Sequence, residues 1–142
     1  MPKLDFQDGK GRVSAHQHPN GGGWVADTAS VDETAFVGPD AEVYGHAGVY
    51  GHARVFGNAS VFGDAVIKTS RFPQIKRSDG WDFIAAPCSD GITRVIAGCR
   101  YFTFEEAETH WEETRGGTLL GDETMLILKY LQSYVELMKE EQ

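Results

Sequence analysis

The stretch VYGHAG VYGHAR VFGNAS VFGDAV, residues 43–66, repeats one pattern every six residues. The same frame runs from residue 25 to residue 72, with VADTAS, VDETAF and VGPDAE before this stretch and IKTSRF after it. Its first position is always aliphatic: Val25, Val31, Val37, Val43, Val49, Val55, Val61 and Ile67. Its fifth position is alanine from Ala29 to Ala65 and arginine in the last unit, at Arg71. Such regularity predicts a repeat architecture in which every unit has the same buried and turning positions.

A period of six residues fits neither an α-helix nor one long strand, but it fits a short strand followed by a corner. The third and fourth positions carry turn residues in four successive units: Gly45-His46, Gly51-His52, Gly57-Asn58 and Gly63-Asp64. Glycine and short polar residues tolerate left-handed backbone, so these pairs are predicted to turn the chain. Three units would close one triangular coil, with the aliphatic side chain inside and alanine where the corner leaves little room.

Residues 25–72 resemble the hexapeptide-repeat, left-handed β-helix family, whose pattern is an aliphatic residue, two or three turn residues and a small residue. The lead-in HPNGGGW, residues 18–24, resembles the segment before such repeats in short phage and prophage proteins. The resemblance implies a mainly β fold, a short left-handed parallel β-helix of about 2.5–3 coils followed by a small α+β unit. The family includes acyltransferases, carbonic-anhydrase-like proteins and non-enzymatic assemblies, so the motif indicates a fold more than a function.

The predicted organisation is an N-terminal cap, the repeat segment, a linker and a C-terminal unit of a β-hairpin and two helices: residues 1–24, 25–72, 73–80 and 81–142. Ser89-Asp90-Gly91 separates two apolar runs, which is a hairpin signal. Thr103 and Glu106 form a capping box for the first helix, and the second helix is predicted from about Asp122 to Lys139. The second helix is apolar on two stripes, so it needs two partners. Its own hairpin is one candidate, and the same helix of another subunit is the other.

Four aromatic residues occupy the second position of successive repeats and are predicted to point outward: Tyr44, Tyr50, Phe56 and Phe62. Tyr44 and Phe62, three units apart, should stack on one face, with Tyr50 and Phe56 on the other two. A ring of exposed aromatics predicts a covering surface, either the chain's own tails or neighbouring chains. The family typically packs as trimers through these faces, and the resemblance implies a homo-oligomer here, with a homotrimer as the specific expectation.

The candidate ligand- or interface-binding residues are these four aromatics and their polar neighbours: Tyr44, His46, Tyr50, His52, Arg54, Phe56 and Phe62. Aromatic rings beside an arginine suit a planar, anionic molecule, such as a nucleotide-like ligand, in a cleft between subunits. The simpler alternative is that the rings only hold the oligomer together. Our hypothesis is a non-enzymatic oligomeric binding protein. By analogy, it is a phage- or prophage-type accessory factor that sequesters a small molecule or occludes a host protein, as in counter-defence.

Two enzyme classes are the main alternatives, an acyltransferase-like and a carbonic-anhydrase-like activity. Acyltransferases of the family bind the acyl donor in a cleft between long prisms and usually carry the general base, a histidine, on a loop. The repeats of this chain are few, and no long loop interrupts them. The carbonic-anhydrase-like members bind a metal with three histidines, and the His46–His52 spacing differs from their characteristic pair. We therefore expect no catalytic residues, no metal and no cofactor. A structural or assembly role is the third hypothesis.

Composition argues against nucleic-acid and membrane partners. Lys and Arg number 13 against 21 Asp and Glu, and this net charge of −8 repels phosphate backbones. A local basic spot is interpreted as a solvated linker: Lys68, Arg71, Lys76 and Arg77. No apolar run approaches the roughly 20 residues that span a bilayer, and residues 1–12 lack a signal-peptide core. We predict a cytoplasmic protein, in the host cytoplasm if phage-encoded, in which Cys88 and Cys99 are buried, unbridged thiols.

Overall fold

A computed structural model describes residues 2–68, 72–98 and 100–139, and within them the chain forms fourteen strands and two helices. The N-terminal part and the repeats form β1 (Lys3–Asp5), β2 (Arg12–Gln17), β3 (Trp24–Ala26), β4 (Ser30–Val31), β5 (Phe36–Val37), β6 (Glu42–Val43), β7 (Gly48–Val49), β8 (Arg54–Val55), β9 (Ser60–Val61) and β10 (Val66–Ile67). The C-terminal part forms β11 (Gln74–Lys76), β12 (Asp82–Pro87), β13 (Thr93–Ala97), β14 (Arg100–Phe102), α1 (Phe104–Arg115) and α2 (Leu119–Lys139).

The repeats pair in parallel with the repeat three units away. Val25 pairs with Val43, which in turn pairs with Val61, and the other two rows follow the same register. Paired residues therefore lie eighteen positions apart, which confirms the expected register. Seven of the eight first-position aliphatics and the alanines from Ala35 to Ala65 are buried in one core, because each corner brings them back to the same interior. The strands stay two or three residues long because a turn interrupts the chain in every unit.

The predicted fold class is wrong. The described strands form four sheets, in which the largest is mixed and the C-terminal one is antiparallel, and no regular parallel left-handed helix is evident. The reason lies at the ends of the repeat segment. At one end β2 pairs antiparallel with β3, so residues 3–26 extend a repeat sheet instead of leaving it parallel. The rows are also unequal, since β5 and β8 form a sheet of only two strands.

The C-terminal unit contains the predicted hairpin, but the hairpin is half of a larger sheet. β12 and β13 pair antiparallel around Ser89-Asp90-Gly91, which confirms the turn. β11 and β14 add to either side, so the expected hairpin is corrected to a four-stranded antiparallel sheet. β11 lies within residues 73–80, the stretch expected as a linker. The capping box of Thr103 and Glu106 is confirmed at the start of α1, and α2 begins three residues before the predicted position.

β12 joins the two halves of the molecule because its two faces are buried in different cores. Ile84 and Ala86 belong to the core of the repeats, whereas Phe83 and Ala85 pack with α1 and α2. Alternate residues of a strand point to opposite sides, so one six-residue strand serves both cores. A bridge between Ala65 and Cys88 continues the contact. The C-terminal sheet thus covers the end of the repeat segment that would otherwise expose unpaired strands.

One expectation from composition is wrong and another is confirmed for the residue that the structure describes. Arg77 is 3% exposed, so the basic spot is not a solvated linker at that position. Cys88 is buried and free, as expected, whereas Cys99 and Arg71 lie outside the described residues. Neither of the helices in the described part of the chain combines the length and the apolarity needed to cross a membrane.

Candidate functional site

An aromatic stack runs along one face of the repeat segment. Tyr44 and Phe62 lie parallel with ring centroids 4.9 Å apart, which confirms the predicted pair. Phe6 from the N-terminal tail stacks on Tyr44 at 4.8 Å, and Tyr101 from β14 contacts Phe62 at 5.3 Å. Tyr44 is consequently 4% exposed. The sequence predicts that either the chain's own tails or neighbouring chains cover these rings. On this face the chain's own segments cover them.

The last ring of this stack is tied to the end of the repeat segment. The backbone N–H of Asp64 donates to the Tyr101 hydroxyl at 3.2 Å, and the Cys88 thiol lies 3.3 Å from that oxygen. Burial and the hydrogen bond with Cys88 raise the pKa of Tyr101, so its hydroxyl stays protonated around neutral pH. The Arg94 guanidinium lies 5.2 Å from the ring centroid. Through these contacts, Tyr101 links the C-terminal sheet to the corner at Gly63-Asp64.

A groove of about 510 Å³ opens beside this stack, between the 7–10 loop and the two corners at residues 45–46 and 63–64, which belong to paired repeats; we call it the corner groove. It is lined by Gln7, Asp8, Lys10, Tyr44, Gly45, His46, Phe62, Gly63 and Asp64. The two corners approach each other closely here, since a Cβ on Gly45 would lie 3.0 Å from the Gly63 nitrogen. Three of the seven predicted site residues meet here: Tyr44, His46 and Phe62.

The rim of the corner groove carries a positively charged side chain, Lys10, and negatively charged ones, Asp8 and Asp64. Within the described residues, the side chains of Lys10, His46 and Asp64 make no hydrogen bond or ion pair with another side chain or backbone group. The loop that supplies Lys10 is held by Asp8, whose carboxylate accepts from the Lys10 backbone N–H at 3.1 Å. Gln7 has a φ of 62°, a left-handed backbone conformation that residues other than glycine rarely adopt. A strained residue on the rim of a groove is consistent with a binding role.

The other four predicted residues lie on other faces. The Arg54 guanidinium lies 4.5 Å from the centroid of Phe36, so its charge is engaged by a ring of its own chain. Tyr50 is half-buried, with its ring over the backbone of Gly48. Phe56 is 47% exposed, and His52 stands exposed at the next corner after His46. The structure therefore does not bring the seven predicted residues into one site.

An apolar stripe lies on the outer surface of α2. It consists of Leu119, Leu126, Tyr130 and Leu137, which are 86%, 69%, 44% and 54% exposed. At 3.6 residues per turn, these positions fall within about 20° of one line along the helix. The buried residues of α2, including Leu128 and Leu131, lie on the side that faces the sheet and α1. The sequence predicted a second apolar stripe on this helix at Ile127, Tyr130, Tyr134 and Leu137, and this prediction is only partly right. Ile127 is buried with α1 and the sheet, whereas Tyr130 and Leu137 lie in the exposed stripe together with Leu119 and Leu126, which the prediction did not include.

A second cavity, the α1 pocket, has a volume of about 200 Å³ and was not predicted. It is lined by Arg77, Asp79, Trp81, Arg100, His110, Trp111, Thr114 and Arg115. Burial lowers the pKa of His110, and the charges of Arg100 and Arg115 lower it further, against the opposing charge of Glu113. Its residues come from β14, α1 and the turn at 77–81, so no local motif marks it. The only sequence signal is the alternation of tryptophan and arginine.

The remaining histidines have structural partners. The His18 ring is buried and lies 2.8 Å from the Ala35 carbonyl oxygen, and His16 lies 2.7 Å from the Asp27 carboxylate. In the described part of the chain, no three His, Cys, Asp or Glu side chains are grouped so that they could hold a metal ion. Comparison of the chain with protein families, with curated proteins and with solved structures found no match.

Proposed function

We propose that this chain works by binding rather than by catalysis, and that a second copy of the chain is a partner, bound through the apolar stripe of α2. The single observation that carries this proposal is the stripe itself. Three leucines and a tyrosine in one line present on the order of 500 Å² of apolar surface per chain, at the upper end of what a monomer usually exposes. Two such surfaces bury about 1,000 Å², the lower bound for a specific interface.

The positions of the stripe favour an antiparallel pair of α2 helices related by a two-fold axis. Leu119 and Leu137 are equidistant from Leu128, and so are Leu126 and Tyr130. A two-fold axis at that level places Leu119 against the second copy's equivalent of Leu137, and Leu126 against that of Tyr130. The pairing is self-complementary because each contact occurs twice.

The polar positions within the stripe distinguish antiparallel from parallel packing. When Glu123 and Ser133 are added to the four residues of the stripe, successive positions are separated alternately by four and three residues. This is the spacing by which paired helices contact each other. Parallel packing would place two Glu123 carboxylates together, which repel each other. Antiparallel packing places Glu123 opposite Ser133 of the second copy, where a hydroxyl can donate to a carboxylate. In its own chain, Glu123 already accepts hydrogen bonds from the backbone and the hydroxyl of Ser78.

The test is the mass of the particle in solution, measured by native mass spectrometry and light scattering over a range of concentrations. We expect a dimer for the wild-type chain. Leu126→Glu should weaken the dimer by about thirtyfold or more, because it buries a charge at the centre of the interface. Gln132→Glu adds the same charge at an exposed position outside the stripe and should leave the dimer intact.

Three outcomes would overturn the proposal. The first is a wild-type monomer at all concentrations. The second is an oligomer that survives Leu126→Glu, which would assign assembly to the faces of the repeat segment. Orientation is tested by oxidation in a Cys99→Ser background. Chains with Leu119→Cys should cross-link to chains with Leu137→Cys, and disulfide-linked pairs of Leu119→Cys alone would be the third contradicting outcome.

We infer a small-molecule ligand for the corner groove as a second binding function. The observation in its favour is that Tyr44, His46 and Phe62, chosen from the repeat pattern, line one groove of about 510 Å³, a volume that small-molecule sites commonly have. Unpaired cationic and anionic side chains on its rim suit a ligand with several polar groups. The phage-type accessory role, the host partner and the cytoplasmic location stay predictions from the sequence.

His46→Ala and His52→Ala form a matched pair for this function, because both histidines are exposed at the same repeat position and only His46 lines the groove. Native mass spectrometry of the freshly purified protein would detect a retained ligand, and a panel of nucleotides would be scanned by thermal shift. We expect His46→Ala to weaken binding by about tenfold and His52→Ala to leave it unchanged. Equal loss in both variants, or no ligand in either assay, would reject the groove as a site.

A further inference from the structure

We propose that the α1 pocket binds a phosphate group through Arg100, Arg115 and His110, which line it together. The inference is independent of the self-association of α2 and of the corner groove. It rests on uncompensated cations, on a rigid wall and on the size of the cavity.

The cations of the pocket divide into a paired one and two unpaired ones. Arg77 donates from Nε and Nη2 to the Asp79 carboxylate at 2.9 and 2.8 Å, so these two charges cancel. Arg115 donates from Nη1 to the carbonyl of Thr114 at 3.3 Å, and within the part of the chain that the structure describes its side chain forms no ion pair. For Arg100, no hydrogen bond or ion pair of the side chain occurs within the described residues. The pocket thus retains two positive charges in a chain whose net charge is −8.

The pKa of His110 is affected by the same two arginines. The groups that act on its imidazole are Arg100 from β14 and Glu113 and Arg115 from its own helix; Arg77 and Asp79 line the same pocket from the preceding turn. Burial is the largest cause of the lowered pKa of His110. Among the charges, Arg100 lowers the pKa by more than Glu113 raises it, and Arg115 lowers it further. An anion bound between the cations would reverse that effect, because it favours the protonated ring.

The wall of the pocket is fixed before any ligand binds. The Arg77 guanidinium is buried, lies 5.3 Å from the ring centroid of Trp81 and 5.2 Å from that of Phe83, and donates to the Thr124 hydroxyl at 3.0 Å. A preorganised wall lowers the ordering cost of binding. The volume of about 200 Å³ is smaller than that of a typical site for a whole drug-sized molecule and is suited to a single tetrahedral group. Arginines are the side chains that match phosphate oxygens with paired N–H donors.

The phosphate group has two sources, free phosphate and a phosphomonoester, and the experiment separates them. The histidine signals of the full chain are followed by NMR during titration with inorganic phosphate, with AMP and with adenosine, at constant ionic strength kept with chloride. His110→Gln assigns the signal of His110. We expect phosphate or AMP to raise the pKa of His110 and adenosine to leave it unchanged.

Arg100→Gln and Arg115→Gln should each weaken phosphate or AMP binding by about tenfold, because each removes a charged hydrogen-bond donor. Both side chains are exposed, so neither change disturbs a core. Arg12→Gln removes the same charge from an exposed position on β2 and should leave binding within about twofold of wild type. A response to phosphate alone identifies the free ion as the ligand, and a response to AMP identifies the ester.

Three results would overturn the proposal. One is a wild-type His110 signal that responds to chloride as strongly as to phosphate and AMP. Another is adenosine binding as tightly as AMP, since recognition would then reside in the base. The third is an equal loss of binding in Arg12→Gln, which would make the effect one of net charge.

Discussion

The repeat segment and the C-terminal unit build their cores in opposite ways. The repeats bury small residues, valine and alanine at fixed positions, and hold them with strands of two or three residues. The C-terminal unit buries larger groups, among them Phe83 and Trp111, between a longer sheet and two helices. The repeat core is regular and cannot close its own ends, whereas the C-terminal core is irregular and closes one of them.

The largest effect is expected in the C-terminal core. Trp111→Ala should cost about 3–5 kcal/mol in the free energy of unfolding, because it leaves a cavity beside Phe83. Val49→Ala, in the repeat core, should cost about 1–3 kcal/mol. Urea unfolding measures both. Because β12 belongs to both cores, we expect a single transition, and two separate transitions in either variant would show that the two regions do not unfold together.

The N-terminal tail is the next test, since it covers the face that the repeat leaves exposed. Phe6→Ala should cost about 2–3 kcal/mol, because it removes a buried ring and its stacking on Tyr44. Phe56→Ala is the control, with a ring 47% exposed that should cost only about 0.5 kcal/mol. Hydrogen exchange should show faster opening at Val43 and Tyr44 in Phe6→Ala alone. Equal exchange in the two variants would mean that the tail does not protect this face.

The contact between the two regions at Asp82 should have an intermediate effect. Its buried carboxylate accepts from the Asn58 backbone N–H at 2.8 Å and from Lys76 at 2.9 Å. Asp82→Ala should cost about 1–3 kcal/mol, because the corner at Asn58 loses its acceptor. Asp64→Ala, at the same repeat position as Asn58 and exposed, should change the stability by about 0.5 kcal/mol or less. Thermal unfolding compares them, and similar losses would argue against a specific junction.

The smallest effect is a pH dependence in the C-terminal unit. The pKa of His110 is lowered in the folded chain and returns to about 6.5 on unfolding. Below that pH the unfolded state binds the proton more readily than the folded state does. The stability that the lowered pKa of His110 contributes is therefore present above about pH 6.5 and is lost as the pH falls through the pKa of the folded chain. His110→Gln should therefore lose less stability between about pH 7 and 5 than wild type. A His110→Gln variant that loses as much stability over this range as wild type would contradict the assignment.

The local features of the C-terminal unit were predictable because each depends on a few neighbouring residues. The turn at Ser89-Asp90-Gly91 and the capping box of Thr103 and Glu106 need only the backbone around them. β11 and β14 were missed because each has three residues and is defined by its partners in the sheet. Of the exposed stripe of α2, the sequence prediction included Tyr130 and Leu137 and missed Leu119 and Leu126, because exposure depends on which side of the helix the sheet covers.

The candidate sites divide along the same line. The stacking of Tyr44 on Phe62 followed from the register, and so did the separation of Tyr50 and Phe56 onto other faces. The stacking of Phe6 on this pair did not, because Phe6 is distant in the chain and has no repeat position. The approach of the 7–10 loop to the corner groove and the meeting of the three segments of the α1 pocket were not predictable, because no repeat or local pattern relates these segments.

By itself, the sequence determined the period of the repeat, its register and its buried positions, because these recur at fixed intervals and obey the geometry of short strands and glycine turns. Only the tertiary structure decided how that pattern ends. It placed an antiparallel pair at one edge and a four-stranded sheet at the other. It also buried Arg77 and left Leu126 exposed, because burial depends on what packs from elsewhere in the chain. A repeat predicts which residues at the same repeat position contact each other. It does not predict which residues from outside the repeat pack against them, because those contacts depend on how the whole chain folds.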